Sequence, residues 1–442
     1  MTNSTSATQK RINNLNRDSY LYFKFVFHGY TLSPSGSPGG FLFAYFCSMQ
    51  KIIFTEEYCR PENLHPFTYN RHIQDIRIGI LTIREKWERY LKIPSANKWE
   101  DNYLDDAQSV KIEKRIGDDN YLLVHANVLP TKAIINKIKK LNNGEFLTSG
   151  KEGGIAFKFS SKEVLGLHKI KISKSVEVKE DVKAIHYPWQ LFQMNDWALR
   201  EDFDLITAGR KSKAISRTNK LIKPAQIFIE PGAKVEHCIL NATDGPIYIG
   251  RNAIVMEGSF LRGPVAVCEG AVVKMGAKIY GATTVGPFCT VAGEVKNSVL
   301  FGFSNKAHDG YLGDSVIGEW CNLGAGTSNS NVKNTAGEVK YWVDADQKEI
   351  SAGNKGGLLM GDYSKAAINT SFNTGTMVGI CCNIFAGGLT PKFIANFSWG
   401  VDGITKYKLN KALVDIDNWK KLKGLTISDR EKQILTDIYK LF

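Results

Sequence analysis

The sequence lacks several features that would place it in common functional classes. Its 442 residues contain no apolar run approaching the roughly 18 residues that a membrane-spanning helix needs. Eight cysteines occur without a C-x-x-C pair or a metal-ligand spacing, which favours reduced thiols over a disulfide or zinc scaffold. No basic run is interleaved with aromatic residues, and no nucleic-acid-binding motif is found. We therefore predict a cytoplasmic protein that binds neither membrane nor nucleic acid.

The chain is basic, with a formal net charge of +13 from 57 Lys and Arg against 44 Asp and Glu. Two interpretations fit this balance: a basic surface that is simply solvated, or one that attracts anionic small substrates. The length allows two domains, each with its own core. The 40 glycines concentrate in the second half, where tight corners require a backbone that tolerates positive φ. This shift in composition predicts a domain boundary near residue 220.

An aliphatic residue returns at every sixth position in the second half of the chain. These positions are Ile249, Val255, Leu261, Val267, Val273, Ile279, Val285 and Val291. Helices repeat at about 3.6 residues and strands at two, so neither explains the spacing. The fourth residue after most of these aliphatics is small, as at Ala253, Ser259, Ala271, Ala277, Thr283 and Cys289. The pattern is typical of a left-handed parallel β-helix, with aliphatic residues pointing inward and small ones at the corners.

The six-residue period continues in two later registers. The second holds Ile317 and Leu323, and the third holds Met360, Ala366, Phe372, Val378 and Ile384. Between registers we expect the chain to leave the prism, first over 297–311 and then over 329–356, the latter as an extended hairpin loop. After Trp399 the repeat stops, and a final helix with Ser428 as its N-cap is predicted.

The first half reads as a mixed α/β domain. Buried strands are predicted at 52–54 and 121–127, and helices at 77–91, after Thr131 and over 187–203. Alternation of strands and helices indicates a partly parallel, Rossmann-like sheet, in which ligands bind beyond the carboxyl ends of strands.

The most unusual polar chemistry lies in the first break of the repeat, around His308. An imidazole is the side chain best suited to accept a proton near neutral pH, so a loop leaving a rigid prism would present His308 as a general base. The spacing alone fits equally well a histidine that only makes loop hydrogen bonds.

A set of motifs around His308 decides between these readings. The histidine is followed by Tyr311-Leu312-Gly313-Asp314, Ile317-Gly318, Asn322-Leu323-Gly324-Ala325-Gly326-Thr327 and Asn331. This set closely resembles the acetyltransferase half of the bacterial bifunctional enzyme that acetylates glucosamine-1-phosphate and then uridylylates it. The resemblance implies that His308 is the general base and that Lys306, Tyr311 and Asn331 hold the acceptor. It also implies that acyl-CoA binds at Gly324, Ala325, Gly326 and Thr327.

The first half departs from that family, because no Gly-rich phosphate loop follows Phe54. It resembles instead the divergent sugar-nucleotidyltransferase-like proteins of Bacteroidetes, in which this domain precedes the same β-helix. Four arginines are candidates for clamping phosphates with their planar guanidinium groups, namely Arg60, Arg71, Arg77 and Arg84. The competing interpretation is that they pair with nearby carboxylates.

Metal binding by the first half is a second departure. The family places an Mg²⁺-binding Asp after the central strand, where this sequence has Asn127, a weaker ligand for a hard cation. Nucleotidyl transfer therefore needs another carboxylate or is lost. Asn127 and Asn195 are the candidate metal ligands, with Asp196 and Asp202 as further candidates.

The sequence predicts four segments, and the resemblance implies a function. The segments are an extension over 1–48, an α/β nucleotidyltransferase-like domain over 49–220, a left-handed β-helix over 221–400 and a helical tail over 401–442. Met49 would be the natural start of the protein, immediately after the extension. The function is sugar-nucleotide biosynthesis toward a cell-wall precursor by a homotrimer. One alternative is a nucleotidyltransferase for another sugar, with the β-helix only for assembly. Another is a non-catalytic scaffold that binds a nucleotide sugar.

Overall fold

The computed structural model describes residues 20–22, 51–56, 59–95, 120–160 and 169–442. Two compact units are present. One takes in the described residues up to Cys59 together with Arg84–Ala184, and the other takes in Arg60–Ile83 and Ile185–Phe442. Of the predicted extension over 1–48, all but Tyr20–Tyr22 lies outside the described residues. The units follow packing instead of chain order, and the four-segment division stays a prediction.

The first unit is built on a mixed five-stranded sheet. In sheet order its strands are Lys174–Val178, Glu145–Ser149, Gly153–Ser160, Asn120–His125 and Lys51–Thr55. The two predicted strands are confirmed, and they pair in parallel with Ile53 opposite Leu123. Smaller pairs join Val128–Leu129 with Lys183–Ala184, and Tyr20–Tyr22 with Lys169–Lys171.

Helix α1 is Ile83–Leu91 and helix α2 is Lys132–Ile138. The predicted cap of α2 is confirmed, because Thr131 accepts a hydrogen bond from the Ile134 amide at 3.3 Å.

The helix predicted over 77–91 is too long at its start. Arg77–Ile78 instead pairs antiparallel with Leu81–Thr82. Gly79 makes the turn between them at a φ of +72°, and a Cβ there would lie 2.5 Å from the Asp202 carboxylate. That carboxylate accepts hydrogen bonds from the Ile80 and Leu81 amides at 2.8 and 3.0 Å. Because the Ile80 and Leu81 amides donate to Asp202 and not to helical carbonyl oxygens, α1 begins only at Ile83.

The second unit contains a parallel β-solenoid of three sheets, named S1, S2 and S3 here. S1 comprises Ile227–Ile229, Ile247–Ile249, Val265–Val267, Thr283–Val285, Val299–Leu300, Val316–Ile317, Leu358–Met360, Thr376–Val378 and Phe393–Ile394. S2 comprises Lys234–Val235, Ile254–Val255, Val272–Val273, Thr290–Val291, Asn305–Lys306, Asn322–Leu323, Lys365–Ala366 and Asn383–Ile384. S3 comprises Lys220–Ile222, Ile239–Asn241, Phe260–Arg262, Lys278–Tyr280, Glu294–Lys296 and Tyr311–Gly313. The strands of each solenoid turn therefore pair with strands of the preceding turn in the same sheet.

The predicted aliphatic positions form the solenoid core. The aliphatic residues that recur at every sixth position from Ile249 to Val291 are each at most 2% exposed, as are Ile317, Leu323 and Phe372 from the later registers. The corner residues Cys289 and Cys321 are buried too. The predicted parallel β-helix is thus confirmed as a solenoid, and its left-handed sense stays a prediction. The seven described cysteines are free thiols.

Shorter elements flank the solenoid. The predicted hairpin is confirmed, with Lys340–Val343 antiparallel to Lys348–Ser351. Helices α3 (Gln190–Gln193) and α4 (Asn195–Thr207) precede the solenoid, and α5 (Leu409–Lys421) and α6 (Asp429–Lys440) follow it. Ser428 caps α6 in a capping box with Glu431, as predicted. Within the described part of the chain, every helix is too short or too polar to cross a bilayer.

Candidate active site

The segment around His308 does not leave the solenoid, which corrects the loop predicted over 297–311. Its strands at Val299–Leu300 and Asn305–Lys306 pair within S1 and S2, and Tyr311–Gly313 pairs within S3. Two properties hide this continuity in the sequence. Successive inward residues are only five positions apart from Val295 to Leu300, and the next inward position is a lysine. The chain therefore stays in the solenoid while the sequence pattern breaks.

His308 is exposed on the corner between the strand at Asn305–Lys306 and the strand at Tyr311–Gly313. Its backbone oxygen accepts a hydrogen bond of 2.6 Å from the Lys306 ammonium, and the Asp309 oxygen accepts another of 3.0 Å. Gly310 completes the corner at a φ of +120°, and a Cβ there would lie 2.2 Å from the Thr327 oxygen. Only glycine fits this position. The corner thus presents an accessible imidazole on a constrained backbone.

The predicted acyl-CoA motif forms the neighbouring corner of the solenoid. The Gly326 amide donates a hydrogen bond of 3.1 Å to the Asp309 oxygen, which joins this corner to that of His308. Thr327 donates through Oγ1 to the Ala367 oxygen at 3.2 Å, and the Gly324 amide donates to the Ala366 oxygen at 3.0 Å. The structure therefore joins the corner that carries His308 to the corner formed by Gly324, Ala325, Gly326 and Thr327.

Tyr311 and Asn331 also come together. The Asn331 amide donates to the Tyr311 hydroxyl at 3.1 Å and to the Asp314 carboxylate. Asn297 donates to the other oxygen of Asp314 at 2.6 Å. Burial, followed by the negative charge of Asp314, raises the pKa of the Tyr311 phenol to about 12. Tyr311 is therefore a neutral hydroxyl at physiological pH, able to donate to an anion.

Three residues of this cluster were missed from the sequence. Glu294 lies directly opposite Tyr311 across S3 and accepts a hydrogen bond of 2.6 Å from Tyr280. That hydrogen bond is the main reason that the pKa of Tyr280 rises to about 12. The Lys296 ammonium lies 5.8 Å from the centre of the Tyr280 ring. The available signal was that charged Glu294 and Lys296 flank the inward-facing Val295 one coil before Tyr311.

Lys306, predicted as a substrate ligand, lies inside the solenoid. Its side chain is 0% exposed, and its strand places it opposite Val291 of the inward column. Burial lowers the pKa of its ammonium to about 8, and the nearby Asp309 partly offsets this. Its ammonium donates hydrogen bonds to backbone carbonyl oxygens of the His308 corner.

The four predicted phosphate-clamping arginines are engaged within the protein. In the second unit Arg60 pairs with Asp346 at 3.0 Å, and buried Arg71 forms a bidentate pair with Asp362. Arg77 donates to the Phe301 oxygen at 3.1 Å. In the first unit Arg84 donates to Ser95 at 2.6 Å and lies over the ring of Phe54. In the second unit Arg71 and Arg77 come together at Phe301, whose ring lies 5.1 Å from the Arg71 guanidinium, whereas Arg60 pairs separately with Asp346.

The candidate metal ligands occupy structural positions. In the first unit Asn127 is buried and accepts a hydrogen bond of 3.3 Å from the Cys59 thiol. In the second unit Asn195 accepts from the Gly79 amide at 2.7 Å and donates to Thr284 at 3.1 Å. Asp202 accepts the two amides of the Gly79 turn, and Asp196 pairs with Arg200 on the surface.

These donor sets do not fit Mg²⁺. An amide beside a thiol is a poor match for a cation that prefers carboxylate and water oxygens. Over the described residues, no group of three or more His, Cys, Asp or Glu side chains is placed to hold a metal.

Residues 52–211 match the family model described as sugar nucleotidyl transferase. The fold is thus that of a nucleotidyltransferase-type domain combined with a parallel β-solenoid. The chain is 36% identical over 217 residues to the Bifunctional protein GlmU of Methanocaldococcus jannaschii, covering 47% of this chain and 44% of that protein. It is 28% identical over 226 residues to a bifunctional sugar-1-phosphate nucleotidylyltransferase/acetyltransferase of Sulfurisphaera tokodaii, covering 51% and 49%.

The predicted resemblance to bifunctional nucleotidyltransferase/acetyltransferases is therefore confirmed, in a divergent form. The chain spans about half the length of these curated relatives. The solved structure of a Francisella novicida UDP-N-acetylglucosamine acyltransferase superposes with a TM-score of 0.25 at 12% identity, covering 51% of this chain and 88% of that one.

Proposed function

We propose that this chain is a sugar-nucleotide biosynthesis enzyme whose solenoid transfers an acyl group from acyl-CoA to an amino sugar phosphate. The observation that carries the proposal is the hydrogen bond from the Gly326 amide to the Asp309 oxygen. It joins the corner that presents the histidine to the corner that resembles an acyl-CoA-binding motif. The named relatives support the same chemistry.

His308 acts as the general base in this proposal. Its imidazole removes a proton from the sugar amine, and the nitrogen lone pair attacks the thioester carbonyl carbon. A C–N bond forms as the C–S bond breaks, and CoA leaves as a thiolate that then takes up a proton. Tyr311, Asn331 and Lys296 hold the acceptor, with the ammonium of Lys296 facing the phosphate charge.

The acyl-transfer activity is tested by mixing the purified chain with acetyl-CoA and glucosamine-1-phosphate and following the free thiol of CoA. We expect thiol release that depends on the amino sugar phosphate, with N-acetylglucosamine-1-phosphate as product. Release at the same rate without the sugar would show simple thioester hydrolysis and would overturn the proposal. Replacing acetyl-CoA with longer acyl-CoA substrates identifies the preferred acyl group.

Nucleotidyl transfer by the first half is a companion activity, supported by the family match over 52–211. It predicts pyrophosphate release from UTP and N-acetylglucosamine-1-phosphate. Because the described residues do not fit Mg²⁺, the assay is run with and without this ion. Failure to release pyrophosphate under either condition would assign the chain to acyl transfer alone.

Binding without turnover is the outcome expected of a non-catalytic scaffold. Calorimetry with UDP-N-acetylglucosamine and acetyl-CoA distinguishes it from an enzyme. A homotrimer and a cytoplasmic location complete the proposal, by analogy with β-helix acyltransferases. Analytical ultracentrifugation tests the assembly, with a mass of three times 49.2 kDa expected.

A further inference from the structure

Lys306 interrupts an otherwise apolar column inside the solenoid. The inward residues of S2 are Val235, Val255, Val273, Val291, Lys306, Leu323, Ala366 and Ile384. All the others belong to the buried hydrophobic core, and Lys306 is as buried as they are. An ammonium group placed among aliphatic side chains costs free energy unless it is hydrogen-bonded. Burial of Lys306 at this position therefore requires hydrogen bonds that offset the cost of removing its ammonium from water.

The ammonium of Lys306 donates hydrogen bonds to the backbone of the His308 corner. Its acceptors are the carbonyl oxygens of His308 and Asp309, at 2.6 and 3.0 Å. The Asp309 oxygen also accepts from the Gly326 amide at 3.1 Å. One cation thus ties the peptide groups on both sides of Asp309 to the interior of the solenoid. The first of these peptide groups directly follows His308 and so helps to fix the direction of the bond that carries its side chain.

We propose that Lys306 is a positioning residue, which holds the His308 corner from inside the solenoid and thereby orients the imidazole for acyl transfer. This inference rests on the proposed function, because it assigns a role to the base of that reaction. It also replaces the substrate-binding role predicted for Lys306. Misplacement of a catalytic group by about 1 Å can cost on the order of 100-fold in rate, so a held backbone has a direct kinetic value.

The variant Lys306→Met tests the proposal, because methionine is unbranched and of similar length but donates no hydrogen bond. We expect kcat for CoA release to fall at least tenfold, with KM for acetyl-CoA and for the amino sugar phosphate within twofold. The matched control is Val255→Ala, which disturbs the same column three coils earlier. It should lower the melting temperature while leaving kcat within twofold.

Hydrogen exchange measured by mass spectrometry gives a readout that does not depend on activity. The Tyr311 amide donates to Ser328 and the Gly326 amide donates to the Asp309 oxygen, so both should exchange at least tenfold faster in the Lys306→Met variant. The hydrogen-bonded amides of Lys274 and Ala277 in an earlier corner should not change. The proposal is overturned if exchange at Tyr311 and Gly326 is unchanged, or if kcat falls no further than in the Val255→Ala control. If the unmodified chain releases no CoA, the proposed function fails, and the exchange result still decides whether Lys306 holds the corner.

Discussion

The Asn331 side chain donates a hydrogen bond of 3.1 Å to the Tyr311 hydroxyl, and it also binds the carboxylate of Asp314. The amide is therefore held from one side by a buried acid and presents the phenol on the other. Asp314 is 2% exposed and is itself fixed by Asn297. This chain of contacts orders the surface of S3 beside the His308 corner.

We expect Asn331→Ala to weaken acceptor binding. Loss of a hydrogen bond that orients Tyr311 costs about 1 kcal/mol, which corresponds to a KM for the amino sugar phosphate raised about five- to tenfold. The KM for acetyl-CoA should not change. Steady-state kinetics with the two substrates varied in turn measures both values. The exposed Asn334 lies nearby in sequence, and Asn334→Ala should leave both constants unaltered.

A substitution at Asn195 distinguishes a structural role for this side chain from the predicted role as a metal ligand. Replacing it with alanine leaves the buried Gly79 amide without its acceptor, so we expect a loss of about 2–4 kcal/mol in the free energy of unfolding, measured with urea. The neighbouring surface variant Asp196→Asn should change stability by less than about 0.5 kcal/mol. Unchanged stability in Asn195→Ala, together with a lost effect of Mg²⁺ on activity, would instead support the predicted metal role.

Gly310→Ala should disrupt the His308 corner. The new Cβ would lie 2.2 Å from the Thr327 oxygen, so the backbone has to shift. Strain at such a position costs about 1–3 kcal/mol, and we expect lower thermal stability together with loss of acyl transfer. Gly353→Ala is the matched control, since it also has a positive φ but its Cβ meets no atom within 4 Å. Equal effects of the two substitutions would contradict the role assigned to the corner.

His125 predicts acid sensitivity in the first unit. Burial lowers the pKa of its imidazole to about 4, whereas an unfolded chain binds this proton near pH 6.5. The unfolded state therefore binds more protons between these values, and stability should fall as the pH is lowered from 6.5 to 4, by on the order of 3 kcal/mol. Urea unfolding at several pH values should show that the free energy of unfolding depends less steeply on pH in the His125→Leu variant than in the unmodified chain. The same substitution at exposed His186 should leave the slope unchanged.

The solenoid was predictable because its inward positions are nearly all aliphatic at a fixed spacing. The spacing failed where a corner shortens between Val295 and Leu300 and where Lys306 takes an inward position, so a segment inside the solenoid looked like a loop. In the same way, the helix predicted from residue 77 begins only at Ile83, because the turn at Gly79 is held by Asp202, more than 100 positions away.

Distant partners also limited the site prediction. Arg71 looked like a phosphate clamp because its partner Asp362 lies 291 positions further on. Glu294 and Lys296 went unrecognised because their relation to Tyr311 depends on the register of S3. His308, Tyr311 and Asn331 were found through motif resemblance, and the structure adds the hydrogen bonds that connect their surroundings.

The measurement that tests the central claim most directly compares CoA release by three forms of the chain. His308→Ala removes the proposed base, and His237→Ala removes another exposed histidine from a solenoid corner. With acetyl-CoA and glucosamine-1-phosphate, we predict that His308→Ala lowers kcat at least 100-fold, in line with the loss of a general base. His237→Ala should retain the activity of the unmodified chain. Equal rates for His308→Ala and the unmodified chain would contradict the account.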